Sequence, residues 1–317
     1  MNAFQTVLGA VLPIFLLIGI GLLIRKLNWL TEEADQSLLR VNINLLLPCL
    51  IFDAATGNPA LARLDNLLLP PVVGFATMAL GVAAGWLVAR GLRFGDPPTA
   101  RTFALSVGLY NYGYVPLPLS LLLFGKETAG VLFVHNVGVE LGIWTLGVML
   151  LTGRRPGANW RQILNAPLIA IAVAVTLNAG GGERYVPELL LTAIHWLGAC
   201  AVPMALVLIG AVVADHLHEF HSATGWRTIV AAVLLRNGLL PVAFLALAAV
   251  LPVSIELKRV LLLQAAMPSA VFPILLARHY GGDPPTALRV IISTSLAGLL
   301  TIPLWIRFGM RLLNFAP

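Results

Sequence analysis

Two short stretches of this sequence hold residue types that could bind a small charged molecule inside an apolar environment. They are "GLYNYGYVPLPLS" at residues 108–120 and "LLLQAAMPSAVFPILLARHYGG" at residues 261–282. Each places prolines inside a run otherwise apolar enough for a membrane helix: Pro116 and Pro118 in the first, Pro268 and Pro273 in the second. A proline lacks an N–H and frees a carbonyl one turn earlier. In hydrocarbon an unpaired backbone group costs several kcal/mol, so it must face protein, water or a ligand. Where a helix resumes after such a break, its exposed N–H groups carry partial positive charge and suit a carboxylate. Asn111 lies beside the first break, and Gln264 and Ser269 bracket Pro268. An amide supplies both donor and acceptor. The substrate-binding candidates are therefore Asn111, Tyr112, Gly113 and Pro116 together with Gln264, Pro268 and Ser269. The competing reading is a pair of ordinary proline kinks, with Tyr112 and Tyr114 packed against neighbouring helices.

The elements that position these residues follow from composition. Of the 317 residues, 59% are hydrophobic and 11% charged, against roughly 25% charged in a soluble domain. A mean hydropathy of +0.90 agrees. The chain reads as a polytopic membrane protein. A spanning helix needs about 20 apolar residues, and ten candidate spans emerge: 5–24, 37–55, 67–89, 101–123, 129–152, 165–180, 186–214, 228–250, 258–277 and 288–313. The first is too long for a signal-peptide core and is read as a retained span. The seventh and tenth are overlong and are expected to tilt or project. Cys49 and Cys200 fall in apolar segments and read as small packers.

Counting Lys and Arg sets the orientation. Loops after odd-numbered spans hold twelve: Arg25, Lys26, Arg40, Arg90, Arg93, Arg101, Arg154, Arg155, Arg161, Arg227, Arg278 and Arg289. The other loops and tails hold seven: Arg63, Lys126, Arg184, Lys258, Arg259, Arg307 and Arg311. The positive-inside rule then puts both termini outside. The net charge of +6 sits at span ends, and no basic patch is interleaved with aromatics, so no nucleic-acid partner is expected.

The two halves echo each other. Pro13 matches Pro167, Pro48 matches Pro203, and "FGKETA" after span 4 matches "YGGDPPTA" after span 9, all at offsets of 154 to 158. Five spans per half force the second half to insert upside down, which is an inverted-topology repeat with units 1–155 and 156–317. The interruptions in spans 4 and 9 would then meet near the midplane and cross.

"NINLLLPCLIF" in span 2, "NYGYVPLPLS" in span 4, "AVPMALVLIG" in span 7 and "MPSAVFPILLARHYGGDPPTA" in span 9 resemble the auxin efflux carrier family. The resemblance covers essentially the whole chain. It implies an all-α protein of ten transmembrane helices in two inverted five-helix repeats, with broken, crossing helices 4 and 9. It further implies a scaffold of spans 1, 2, 6 and 7 and a mobile transport domain of the rest. Its bacterial members are assigned to malonate, malate and similar organic anions, and the family's asparagine before the span 4 break falls on Asn111. Near the second break, where plant members carry another asparagine, this chain has Pro268 and Ser269. The long central loop of many plant members is replaced by "TGRRPGANWRQ".

Ionisable residues inside spans are functional candidates by default. Glu140, deep in span 5, shares a face with Asn136, whereas His135 points elsewhere. Glu140 is the candidate carrier of a coupled proton, the alternative being a permanently protonated, hydrogen-bonded acid. Arg236 in span 8 would pair with Glu140, neutralise an anionic substrate or snorkel to an interface. Asp53 completes the proton-coupling set or is merely interfacial. In span 2, Asn42 and Asn44 approach Pro48 and could satisfy backbone freed by it. His195 reads as a hydrogen-bonded structural histidine. In "DHLHEFH", Asp215, His216, His218 and His221 match no closed zinc spacing. No metal or cofactor is expected. No P-loop and no catalytic trio is present, so the chain reads as neither an ATP-driven pump nor an enzyme.

The expected function is secondary active transport of a small organic anion, a dicarboxylate such as malonate or malate, coupled to protons, in a bacterial inner membrane. Expected partners are that anion, protons or sodium, the lipid bilayer and a second copy of the chain in a homodimer. The alternatives are sodium coupling on the same fold and a non-transporting receptor.

Overall fold

The computed structural model describes residues 3–153, 164–220 and 225–315. The helices in chain order are α1 (Ala3–Lys26), α2 (Glu32–Ala55), α3 (Asp65–Gly91), α4 (Pro97–Gly108), α5 (Pro116–Phe124) and α6 (Lys126–Thr152). They continue with α7 (Ala166–Ala179), α8 (Glu188–Phe220), α9 (Trp226–Val250), α10 (Ile255–Ala266), α11 (Phe272–Tyr280) and α12 (Pro284–Leu312). Among the described residues there is no strand, only one isolated antiparallel bridge. Each expected span coincides with a helix or with two half-helices. Among the described residues, seven helices (α1, α2, α3, α6, α8, α9 and α12) are long and apolar enough to cross a membrane. The sixth expected span, α7, has 14 residues. The fourth and ninth are each broken, into α4 and α5 and into α10 and α11.

Side chains fix several helix starts. Thr31 accepts from the Ala34 N–H, with Glu32, Glu33 and Asp35 in the first turn of α2. Asn165 caps α7 through the Leu168 N–H at 2.9 Å, and Ser254 caps α10 through the Leu257 N–H at 3.2 Å. Within α2, α6 and α9 the chain winds more loosely over Asn42–Leu46, Ile143–Gly147 and Val233–Leu239. Such π-wound turns redirect the side chains they carry. Two of them lie just ahead of a proline, Pro48 and Pro241.

Lipid offers no hydrophobic drive between helices, so close packing depends on small residues. A Cβ on Gly21 of α1 would lie 2.0 Å from the Val207 carbonyl oxygen, and one on Gly210 of α8 would lie 1.9 Å from that of Ile18. Gly138 of α6 meets the Pro71 carbonyl of α3 in the same way, at 1.7 Å. No side chain fits at these crossings. The outer face of α1, with Leu12, Leu16, Ile20 and Leu23, is exposed as a lipid-facing stripe is. By contrast α10 is buried all round from Val260 to Ala266. The half-helices α4 and α10 therefore lie at the centre of the molecule, and α1 lies on its outer wall.

Candidate functional site

The two interruptions meet. Between α4 and α5 the chain is unwound at residues 109–115, and between α10 and α11 at 267–271. They pair as one antiparallel bridge, Tyr110 opposite Ser269. The Asn111 N–H donates to the Pro268 carbonyl and the Ala270 N–H to the Leu109 carbonyl, both at 2.8 Å. Main-chain groups that broken helices would leave bare are thus spent on each other.

Three of the carbonyls that prolines free have found other donors. Pro116 has no N–H for the Tyr112 carbonyl four residues back, and Gln264 Nε2 donates to that oxygen at 3.1 Å. Pro268 leaves the Gln264 carbonyl without its i+4 partner; it accepts instead from the Met267 N–H at 3.3 Å and from Arg236 Nη2 at 3.0 Å. In α9, Pro241 frees the Asn237 carbonyl, which accepts from Trp305 Nε1 at 2.6 Å. The asparagines near Pro48 behave differently. Asn42 Nδ2 donates across to the Ala201 carbonyl of α8 at 2.8 Å, and Asn44 Nδ2 donates to the Arg40 carbonyl at 2.9 Å. Neither serves that proline.

The crossing brings Asn111, Tyr112, Gly113, Pro116, Gln264, Pro268 and Ser269 together. Asn111 Oδ1 accepts from the Val115 N–H at 3.4 Å, at the start of α5. The Tyr114 hydroxyl donates to Asn42 Oδ1 at 3.4 Å, tying the first break to α2. The Ser269 N–H donates to Thr294 Oγ1 of α12 at 3.2 Å. Around Gly113 an added Cβ would meet nothing within 4 Å, so the first break opens onto free space. Gln264 Oε1 and Ser269 Oγ are buried and unpartnered among the described residues. An orphaned polar atom at membrane depth is expensive unless a ligand or water uses it. Here two sit at one crossing, beside the N-termini of α5 and α11.

The three proton-coupling candidates are not brought together. Glu140 Oε2 accepts from the Asn165 side-chain amide, the residue that caps α7, rather than pairing with Arg236. Asn136, its expected facial neighbour, contacts His135 Nδ1 at 3.5 Å instead. Arg236 does not snorkel: it is 0% exposed and donates to the Met267, Gln264 and Ala265 carbonyls. The Glu140–Arg236 pair, one of the three readings open for Arg236, does not form because each side chain is engaged elsewhere. Asp53 Oδ2 meets His195 Nδ1 at 3.1 Å and its Oδ1 meets Lys126 Nζ at 3.5 Å, so it joins α2, α8 and the start of α6.

Sequence reasoning missed one pairing that had a plain signal. "GDPPTA" occurs twice, at residues 95–100 and 282–287. Asp283 accepts from Thr99 Oγ1 at 2.8 Å and from Thr286 Oγ1 at 2.7 Å, while its N–H donates to Thr102 Oγ1 at 2.9 Å. The starts of α4 and α12 are thereby pinned side by side. Of the "DHLHEFH" run, Asp215 pairs with Arg25 at 3.1 Å, and the side chains of His216, His218 and His221 lie outside the described residues. Among the described residues no group of His, Cys, Asp and Glu could hold a metal ion.

A family model described as membrane transport protein matches this chain twice, over residues 6–159 and 155–306. An uncharacterized transporter of Methanothermobacter thermautotrophicus is 26% identical over 307 residues, which is 93% of this chain and 96% of that protein. An uncharacterized transporter of Methanocaldococcus jannaschii is 26% identical over 314 residues, 97% and 99% of the two chains.

Proposed function

Since the chain belongs to the auxin efflux carrier-like membrane transport protein family, we propose that it is a secondary active transporter of a small organic anion, a dicarboxylate such as malonate or malate. On this reading ten segments cross the cell membrane as two inverted five-helix repeats, with both termini outside. Helices α1, α2, α7 and α8 form the scaffold, and the remainder moves as the transport domain. The substrate sits at the crossing, with Asn111 and Gln264 orienting a carboxylate that faces the N-termini of α5 and α11.

One observation carries the proposal. The interruptions of two half-helix pairs are joined by main-chain bonds and lie beside Gln264 Oε1 and Ser269 Oγ, which are buried without partners among the described residues. Ordinary kinks would be expected to satisfy such atoms internally.

Proton coupling is preferred over sodium coupling on separate grounds. Sodium would need unwound carbonyls as ligands. The carbonyls of Leu109, Tyr112, Gln264, Met267 and Pro268 already accept hydrogen bonds from protein donors. Glu140, against the cap of α7, is then the proton carrier. It lies where the moving α6 meets the fixed α7, so its charge state is linked to the movement.

The deciding measurement is anion flux and charge movement in proteoliposomes, with malonate, malate, a monocarboxylate and indole acetate, with and without sodium, at two pH values. Dicarboxylate flux driven by a pH gradient and cut about tenfold or more by Asn111→Ala supports the proposal. Glu140→Gln is expected to keep binding while uncoupling flux from the gradient. Folded protein that binds an anion and moves none would instead be a receptor.

A further inference from the structure

Arg236 heads the large side chains that are fully buried, and no carboxylate among the described residues lies within 4.0 Å of it. The loosely wound Val233–Leu239 stretch of α9 carries it and turns it onto α10. There Nε donates to the Met267 carbonyl at 2.9 Å, and Nη2 to those of Gln264 at 3.0 Å and Ala265 at 3.4 Å. The rings of Tyr110 and Phe244 flank the guanidinium at 5.3 and 5.2 Å. Nη1 is buried and has no partner among the described residues.

We propose that Arg236 is the fixed counter-charge of the substrate and determines the site's preference for anions. The inference rests on the transport reading above and names the residue that sets its charge selectivity. Two kinds of helix end meet at the crossing. The N-termini of α5 and α11 attract an anion, but the C-termini of α4 and α10 carry partial negative charge and oppose it. Arg236 binds three carbonyls of the α10 end and cancels that opposition. Carbonyls and ring faces solvate a cation, but none of them supplies a full negative charge. A buried cation without a counter-ion is costly, and its cost falls when an anion arrives. Position supports this. Met267, bonded to Arg236, directly precedes Pro268, whose carbonyl is bonded to the Asn111 N–H. Tyr110, beneath the guanidinium, is itself a member of the bridge. A unit charge about 7 Å away at an effective dielectric of about 20 changes anion affinity about 50-fold.

The test uses the full-length protein and three probes of nearly constant shape: malonate, its monoamide and neutral malonamide. Binding is measured by calorimetry and flux in proteoliposomes, for the native chain, Arg236→Met, Arg236→Gln and Arg236→Lys. The native chain is expected to prefer malonate strongly over malonamide. Both neutral variants should shrink the monoamide-to-malonamide ratio about 50-fold and the malonate-to-malonamide ratio by more, since malonate carries two charges, whereas Arg236→Lys should keep most of both. A purely structural role would weaken all three probes alike and leave the ratio unchanged, which would overturn the inference. Native protein that binds malonamide as tightly as malonate would overturn it even if no neutral variant folds. Flux with an unchanged ratio in Arg236→Met or Arg236→Gln sinks this inference and leaves the transport reading standing. Charge-selective binding without flux, lost in the same variants, upholds the inference and sinks transport. Native protein that binds none of the probes overturns both.

Discussion

The break between α4 and α5 and the break between α10 and α11 pose the same physical problem and solve it with different chemistry. Each unwinds a buried helix just before a proline, and each gives the other one main-chain donor and one acceptor. The first break is furnished by its own residues: Asn111 reaches the start of α5, and Tyr114 reaches Asn42. The second carries only Ser269 as a polar side chain and imports the rest, Arg236 from α9 and Thr294 from α12. A local amide therefore stands opposite a borrowed guanidinium. The crossing is symmetric in its backbone and asymmetric in its charge. If the crossing is the substrate site proposed above, it would bind one end of a substrate differently from the other.

The sharpest way to break the comparison is Gln264→Leu. Its amide bridges the breaks by holding the Tyr112 carbonyl, and the shape is kept while that oxygen is left buried and unpaired. A loss of about 1–3 kcal/mol in thermal unfolding is expected, with flux abolished. A variant that retains full stability would show that the breaks are held by the bridge alone. Asn111→Ala should come next, with flux down about tenfold or more from the loss of a polar contact to a charged ligand. Its stability should fall by about 1 kcal/mol or less, because its only cap bond is long. Equal losses of stability and flux would mean the asparagine is structural. Thr294→Val removes the acceptor for the Ser269 N–H and should cost about 1 kcal/mol. A cost equal to that of Gln264→Leu would erase the difference between the breaks. The smallest effect on folding is expected from Gly113→Ala, since nothing lies within 4 Å of the new methyl. An unchanged melting temperature with slower flux would mark that space as part of the substrate path. Unchanged flux would remove Gly113 from the site.

Local features of the chain were legible in the sequence. Hydropathy located every long helix, and the prolines at 116 and 268 announced where two helices had to open. Proline acts on its own backbone, so its consequence is readable without knowing the neighbours. What could not be read was who repairs each opening. Arg236 read as a partner for Glu140, a counter-charge for an anion or a snorkelling cation, because its neighbours were not legible. In the folded chain Arg236 meets the end of α10, 28 residues on from its own position, and Glu140 meets the cap of α7. These pairings depend on which helix lies beside which, and hydropathy says nothing about that. The π-wound turn that aims Arg236 leaves no trace in composition either. The Thr99–Asp283 link had a signal, the repeated "GDPPTA". It lies outside the proline offsets and joins residues 184 apart.

The bridge between Tyr110 and Ser269 consists of main-chain atoms alone. Its two hydrogen bonds do not depend on which side chains occupy the breaks, apart from the need for an N–H at Asn111 and Ala270. On the proposed transport reading, exchanging the side chains at 111, 112 or 269 would change what the site recognises while the frame that holds it stays in register. A descendant of this chain could take a new substrate by a few substitutions without first having to find a new fold.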